Sequence, residues 1–140
     1  MNPEPLNLWL PPIVQMAIIF VASSIPDPGP LPGGVSDKSG HSIGYAILGA
    51  VLLRALARAR WPGVTWKTAL LAILIATAYG ISDELHQWLV PGRSPEVLDV
   101  VADMNGAAIA VALIGAAAAG RRWGILKSSS PPGDADRRGL

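Results

Sequence analysis

The sequence predicts an all-α fold: an integral membrane bundle of four transmembrane helices, with both termini on the cytoplasmic side. Three observations carry that expectation. Of 140 residues, 51% are hydrophobic and only 15% are charged, whereas a soluble domain carries about 25% charged residues. The apolar residues gather into four long runs, of the length needed to cross a hydrocarbon core about 30 Å thick. Basic residues concentrate at one end of those runs, the pattern of cytoplasmic loops. The formal net charge of +1 provides no footprint for nucleic acid, so no nucleic-acid partner is expected. The absence of cysteine excludes disulfides and thiol chemistry.

The first run covers 6–25 and is interrupted by Pro11-Pro12. Prolines suit a first helical turn, so the regular helix is expected to begin near Pro12. A cleaved signal peptide is the competing reading, with Val21-Ala22-Ser23-Ser24 as its processing site. Residues 1–7 hold no lysine or arginine, which argues for an uncleaved span. Residues 26–34 are rich in proline and glycine and form a turn-rich connector. A second helix is expected from Ser36 or Asp37, either a good N-cap, to about Ala59, with Trp61-Pro62-Gly63 as its break. The third starts around Trp66-Lys67 and runs to Pro91-Gly92. Ser94-Pro95 reads as an N-cap followed by proline at the first helical position, opening a fourth helix that ends at Arg121-Arg122. Residues 1–126 thus form one four-helix transmembrane domain, and 127–140, rich in Ser, Pro, Gly, Asp and Arg, a disordered cytoplasmic tail.

Arg54, Arg58, Arg60 and Lys67 flank the loop between helices two and three, and Arg121, Arg122 and Lys127 follow helix four. The opposite side carries only Lys38 and Arg93. That side is therefore expected to face outward from the cytoplasmic membrane. At about 1.5 Å per residue, Trp66 to Asp83 spans about 26 Å, Arg58 back to His41 about 26 Å, and Arg121 back to Asp103 about 27 Å. All three counts bring polar side chains to one level near the outer interface.

Helical spacing adds direction to depth. Asp37, His41 and Tyr45 share a face of helix two; Tyr79, Asp83, His86 and Gln87 share one on helix three; Asp99, Asp103 and Gly106 share one on helix four. The expected result is an outward-open polar chamber walled by three helices. Its acids need Arg93, Lys38, a metal or shared protons for balance. Asp83-x-x-His86 facing Asp99 and Asp103 has the spacing of a carboxylate/histidine site for zinc, manganese or magnesium. An ionic network with Arg93 and Lys38 is the expected state instead, because no histidine pair stands at ligand spacing. In the acid/base reading, Asp83 or Glu84 is the carboxyl and His41 or His86 the partner base. Arg93, after a Pro-Gly turn, suits an anion clamp beside the start of helix four. Trp9, Trp61, Trp66, Trp88 and Trp123 suit interfacial anchors. No phosphate loop or G-x-S-x-G pattern occurs.

The string Asp37-Lys38-x-x-His41-x-x-x-Tyr45, then Asp83-Glu84-x-x-Gln87, Pro91-Gly92-Arg93-Ser94, Asp99 and Gly106 resembles the VanZ-like family of small membrane proteins, named for a teicoplanin-resistance protein. The resemblance covers about 36–115 and implies a multi-pass protein of the bacterial inner membrane, linked in its namesake to glycopeptide resistance. Together with the residues, it leads to the expectation of an extracytoplasmic site for an anionic lipid or lipid-linked cell-wall precursor head group. Asp37, Lys38, Tyr45, Gln87, Arg93, Asp99 and Asp103 are the candidate binding residues, and Asp83, Glu84, His41 and His86 the candidate acid/base residues. A non-catalytic binding module that alters antibiotic access, and a lipid or proton-coupled transporter acting as a homo-oligomer, are the alternatives. A reporter-fusion map should place the 61–67 loop in the cytoplasm; an external loop would reverse the orientation.

Overall fold

The computed structural model describes residues 4–26 and 36–128, and the connector expected at 26–34 therefore lies almost wholly outside the described residues. Four helices, α1 (Pro5–Ser23), α2 (Asp37–Leu56), α3 (Trp66–Gln87) and α4 (Val97–Ser128), follow one another, with a short 3-10 turn at Trp61–Gly63. Each is long and apolar enough to cross a membrane. No strand occurs among the described residues.

The first helix begins at Pro5, not near Pro12, and carries Pro11 and Pro12 inside it. Proline at 11 cannot donate to the carbonyl of Asn7, four residues earlier. Arg54 of α2 supplies the missing donor, its Nη1 reaching Asn7 O at 3.1 Å. A neighbouring helix that satisfies the freed carbonyl is what makes such a proline tolerable in an apolar span.

Ser36 caps α2, accepting from the backbone N–H of Ser39. The helix stops at Leu56, short of the expected Ala59, because Arg58 and Ala59 turn left-handed with φ of 54° and 53°. Ala59 N donates to Arg54 O at 2.8 Å and Arg58 N to Ala55 O at 2.9 Å. These are the paired bonds of a Schellman cap, with arginine at the position glycine usually fills. Thr65 and Thr68 cap α3 reciprocally.

Two expected boundaries move at the polar end. Helix α3 ends at Gln87, and tighter turns carry the chain to Val90. Arg93 N then bonds Val90 O at 3.1 Å across Pro91-Gly92, where Gly92 has φ 82°. Proline followed by a left-handed glycine is the signature of a type II turn. Helix α4 starts at Val97, so Ser94 is not its N-cap; the Glu84 side chain of α3 takes that role by accepting from Glu96 N at 2.8 Å. At its far end α4 passes Arg121-Arg122 and includes Lys127 and Ser128. The remainder of the expected tail, 129–140, lies outside the described residues. Arg122 there donates to the carbonyls of Pro62 and Val64 at 2.9 and 2.7 Å, and Arg121 sits over the Trp61 ring at 4.6 Å.

Helices α2 and α4 form the closest pair. A Cβ on Gly49 would come within 2.9 Å of Ala107 Cα, and one on Gly106 would overlap the Ser42 carbonyl. Small residues let backbones approach closely in lipid, where association depends on packing rather than on water release. Tyr45, Leu48, Leu52, Ala72, Ala76, Ala107 and Val111 make the core beneath the polar level. Large aliphatic side chains such as Ile13, Leu74, Ile109 and Leu113 remain exposed on the outside, as lipid-facing surfaces require.

The cap of α2 is directly testable. Left-handed backbone costs a non-glycine residue about 1–2 kcal/mol, so Arg58→Gly should raise stability by about 1 kcal/mol in a thermal or SDS unfolding titration. A loss of stability would contradict the cap.

Candidate functional site

The polar residues of α2, α3 and α4 do meet at one level, but they divide into four groups. At the outer edge Lys38 Nζ contacts Glu96 Oε2 at 2.7 Å and Asp99 Oδ1 at 3.1 Å. The Lys38 ammonium holds the exposed Glu96 carboxyl below the usual carboxylate range. Asp37 opens α2, and its side chain lies outside the described residues.

Deeper, Asp103 is fully buried, and its Oδ1 lies 3.0 Å from His41 Nδ1. A glycine makes room for it: a Cβ at Gly80 would sit 2.7 Å from Asp103 Oδ2. Gly80 is a residue of the candidate site that sequence reasoning passed over. Its signal was a glycine inside an apolar helix, one turn before Asp83-Glu84. Breaking a buried charged pair by removing one partner typically costs about 3–5 kcal/mol.

The third group belongs to the end of α3. Asp83, Glu84 and Gln87 are all buried. Gln87 Nε2 donates to Asp83 Oδ2 at 3.2 Å and to Glu84 Oε1 at 3.3 Å, while Glu84 Oε2 takes the Glu96 N–H. Glu84 therefore faces inward, a point that its rotation of about 100° from Asp83 left open. One ligand atom each from His41, Asp83 and Glu84 lie within 4.8 Å of one another.

The fourth group faces α1, which the three-walled expectation had left out. His86 is not brought to the acids: its ring stacks on Phe20 with centroids 4.4 Å apart, and Nε2 lies 2.9 Å from Ser24 Oγ. Tyr79 likewise reaches α1, donating to Met16 O at 2.7 Å. Arg93 makes no salt bridge to Asp83, Glu96 or Asp99; Nε donates to Ile25 O at 3.2 Å and Nη2 to Ala22 O at 3.4 Å. Carbonyls at the end of a helix lack intrahelical donors, and this arginine supplies them for α1.

A cavity of about 310 Å³ lies between α1 and the other helices, with His41, Tyr45, Asp83 and Arg93 on its wall. Ile18, Ile19, Ala22 and Gly44 make much of the remainder. Gln15 of α1 also borders it and donates to Gly44 O at 3.0 Å. A lone glutamine in the first apolar run was the available signal for that residue. Chemically, the wall combines a carboxylate-oriented imidazole, a buried carboxylate and a guanidinium with an apolar surface continuous into the span.

Substituting Gly80→Ala should lower stability by about 1–3 kcal/mol through overpacking against Asp103. Gly115→Ala, where a Cβ meets nothing within 4 Å, should be neutral or slightly stabilising. Equal effects in an unfolding titration would refute the close approach.

The polar constellation can be set beside known proteins. No curated protein and no solved structure matches the chain. The family model described as VanZ/LLP1 matches residues 37–118, from the start of α2 through the whole polar layer and into the second half of α4. It leaves out α1 and with it one wall of the cavity. With its four apolar helices, the chain belongs to the VanZ/LLP1 family of multi-pass membrane proteins.

Proposed function

We propose that this is a bacterial inner-membrane protein whose extracytoplasmic cavity binds the head group of an anionic lipid or lipid-linked cell-wall precursor. One observation carries the proposal: a single cavity joins Arg93, His41 and Asp83 to apolar side chains of α1 and α2. A lipid has that same division, with charge at the interface and hydrocarbon below it. The cavity's apolar wall lies within the candidate spans, while Arg93 lies between α3 and α4. Arg93 uses two donors on α1, and a guanidinium has five, so it can hold an anion as well as the helix end. Arg54, Arg58, Arg60, Arg121 and Arg122 at the other end support the sidedness.

Chemistry on the bound head group is a further step in the same reading. Asp103 orients His41 as a carboxylate orients a general base, and Asp83 shares the cavity with that ring. With no cation on these side chains, hydrolytic or transfer chemistry would use His41 to accept a proton and the Asp83 carboxyl as the partner group.

Native mass spectrometry should find anionic lipid retained over zwitterionic lipid by wild-type protein. Arg93→Gln, confirmed as folded by circular dichroism, should weaken that retention about tenfold, as expected for one charge-assisted hydrogen bond. Equal retention of both lipid classes by wild type would sink the head-group reading. An envelope lipid inventory then separates the modes of action. A product missing from both Asp83→Asn and protein-free cells marks turnover, and an unchanged inventory marks a binding module.

A further inference from the structure

The sequence pointed to Asp83-x-x-His86 as the spacing of a metal site, and the fold separates those two side chains. It brings others together. We propose that His41, Asp83 and Glu84 bind a divalent transition-metal cation of the zinc or manganese type, with Asp103 as the carboxylate that positions His41.

The donor set is the first argument. One imidazole nitrogen and two carboxylate oxygens, all within 4.8 Å of each other, come from α2 and α3. Imidazole with carboxylate suits zinc or manganese better than soft cations. Metal bonds of about 2.0–2.2 Å place ligand atoms about 3.5 Å apart, so carboxylate rotations of about an ångström complete the geometry. Rigid helices hold all three side chains.

Unsatisfied buried oxygen is the second argument, and it is independent of the clustering. Asp83 is 4% exposed, lies on the cavity wall beside His41, and its Oδ1 has no hydrogen-bond partner among the described residues. The hydroxyl of Tyr45, a residue 1% exposed on the same wall, is also without one. Buried polar atoms normally have partners, and orphaned oxygens on two residues that line one cavity point to a cation or its coordinated water.

Outer hydrogen bonds give the third. A metal-bound histidine almost always donates its other ring N–H to a carboxylate or carbonyl. Asp103 Oδ1 is placed for this at 3.0 Å from His41 Nδ1. The carboxylates are steered as well: Gln87 Nε2 holds both Asp83 Oδ2 and Glu84 Oε1, and the Glu96 N–H holds Glu84 Oε2. Asp83 is thereby held through one oxygen while the other remains for coordination.

Charge agrees. Lys38 is engaged by Glu96 and Asp99 at the outer edge. Among the described residues, Asp83, Glu84 and Asp103 share the interior with one imidazole and the Arg93 guanidinium on the cavity wall, and a dication offsets the excess that is left. The cavity side of the site remains open for water or an anionic ligand, the arrangement of a reactive rather than a purely structural metal centre. The inference comes from donor geometry alone and does not depend on the lipid reading.

The test uses full-length protein in detergent micelles, stripped with chelator and given no added lipid. Zinc retained after dialysis should reach about one equivalent per chain, and cobalt(II) should give the visible absorption of a low-symmetry site. His41→Gln and Asp83→Asn should each abolish retention, and Asp103→Asn should weaken it about 10- to 100-fold. His86→Gln should bind as wild type does. His41→Cys guards against simple misfolding: it should keep cobalt and add a thiolate-to-metal charge-transfer band. Less than about a tenth of an equivalent in wild type would overturn the proposal. So would undiminished binding in His41→Gln, loss of binding in His86→Gln, or cobalt bound by His41→Cys without the new band. Because no lipid is present, failure here leaves the lipid result to be judged separately.

Discussion

Buried carboxylate is the constraint around which this bundle is arranged. Asp83, Glu84 and Asp103 are each no more than 6% exposed, at the end of helices otherwise built for lipid. Charge in such a place is expensive, and it survives only where partners meet it. His41 meets Asp103 from α2, Gln87 meets Asp83 and Glu84 from within α3, and the backbone N–H of Glu96, just ahead of α4, meets Glu84. Helix α2 thus donates to a carboxylate of α4, α3 to carboxylates of its own preceding turn, and the residue that leads into α4 to a carboxylate of α3. The layer therefore fixes the register of α2, α3 and α4.

That register depends on close backbone approach as much as on hydrogen bonding. Gly49 against Ala107 and Gly106 against Ser42 bring α2 and α4 near enough for His41 to reach Asp103. Gly80 opens the surface of α3 to the same carboxylate. A larger side chain at any of these positions separates helices whose polar atoms have little slack. Packing and polar chemistry are one problem here, because each small residue determines a hydrogen-bond distance.

The first helix has a different relation to the rest. It is held by backbone carbonyls: Arg54 reaches the one freed by Pro11, Tyr79 reaches Met16, and Arg93 reaches the helix end. These contacts place α1 across the polar layer without closing it, and the cavity is the space that remains. The VanZ/LLP1 match starts at residue 37 and so covers the polar layer without this wall. Within this chain, what the string of acids and histidine can contact is therefore set partly by a helix outside the matched region.

Much of this was legible in the residues, for physical reasons that also explain the limits. Composition and run length determined an all-α chain with four possible spans. Rise per residue determined that His41, Asp83 and Asp103 lie at one depth, and periodicity grouped the faces of α2 and α4. Helical spacing does not say what stands opposite a face. His86, three residues after Asp83, was grouped with it, yet a rotation of about 60° from the common face was enough to turn it toward Phe20 and Ser24. Arg93 looked like a partner for the acids and instead serves carbonyls of α1, which were invisible until that helix was placed. Helix ends moved for similar reasons, since Glu84 capping α4 and Arg54 rescuing Pro11 are contacts between distant segments. The sequence by itself determined depth, charge and helical face, which follow from local geometry. Only the tertiary structure decided which side chains meet, because helix crossings set by a few glycines choose the neighbour across each face.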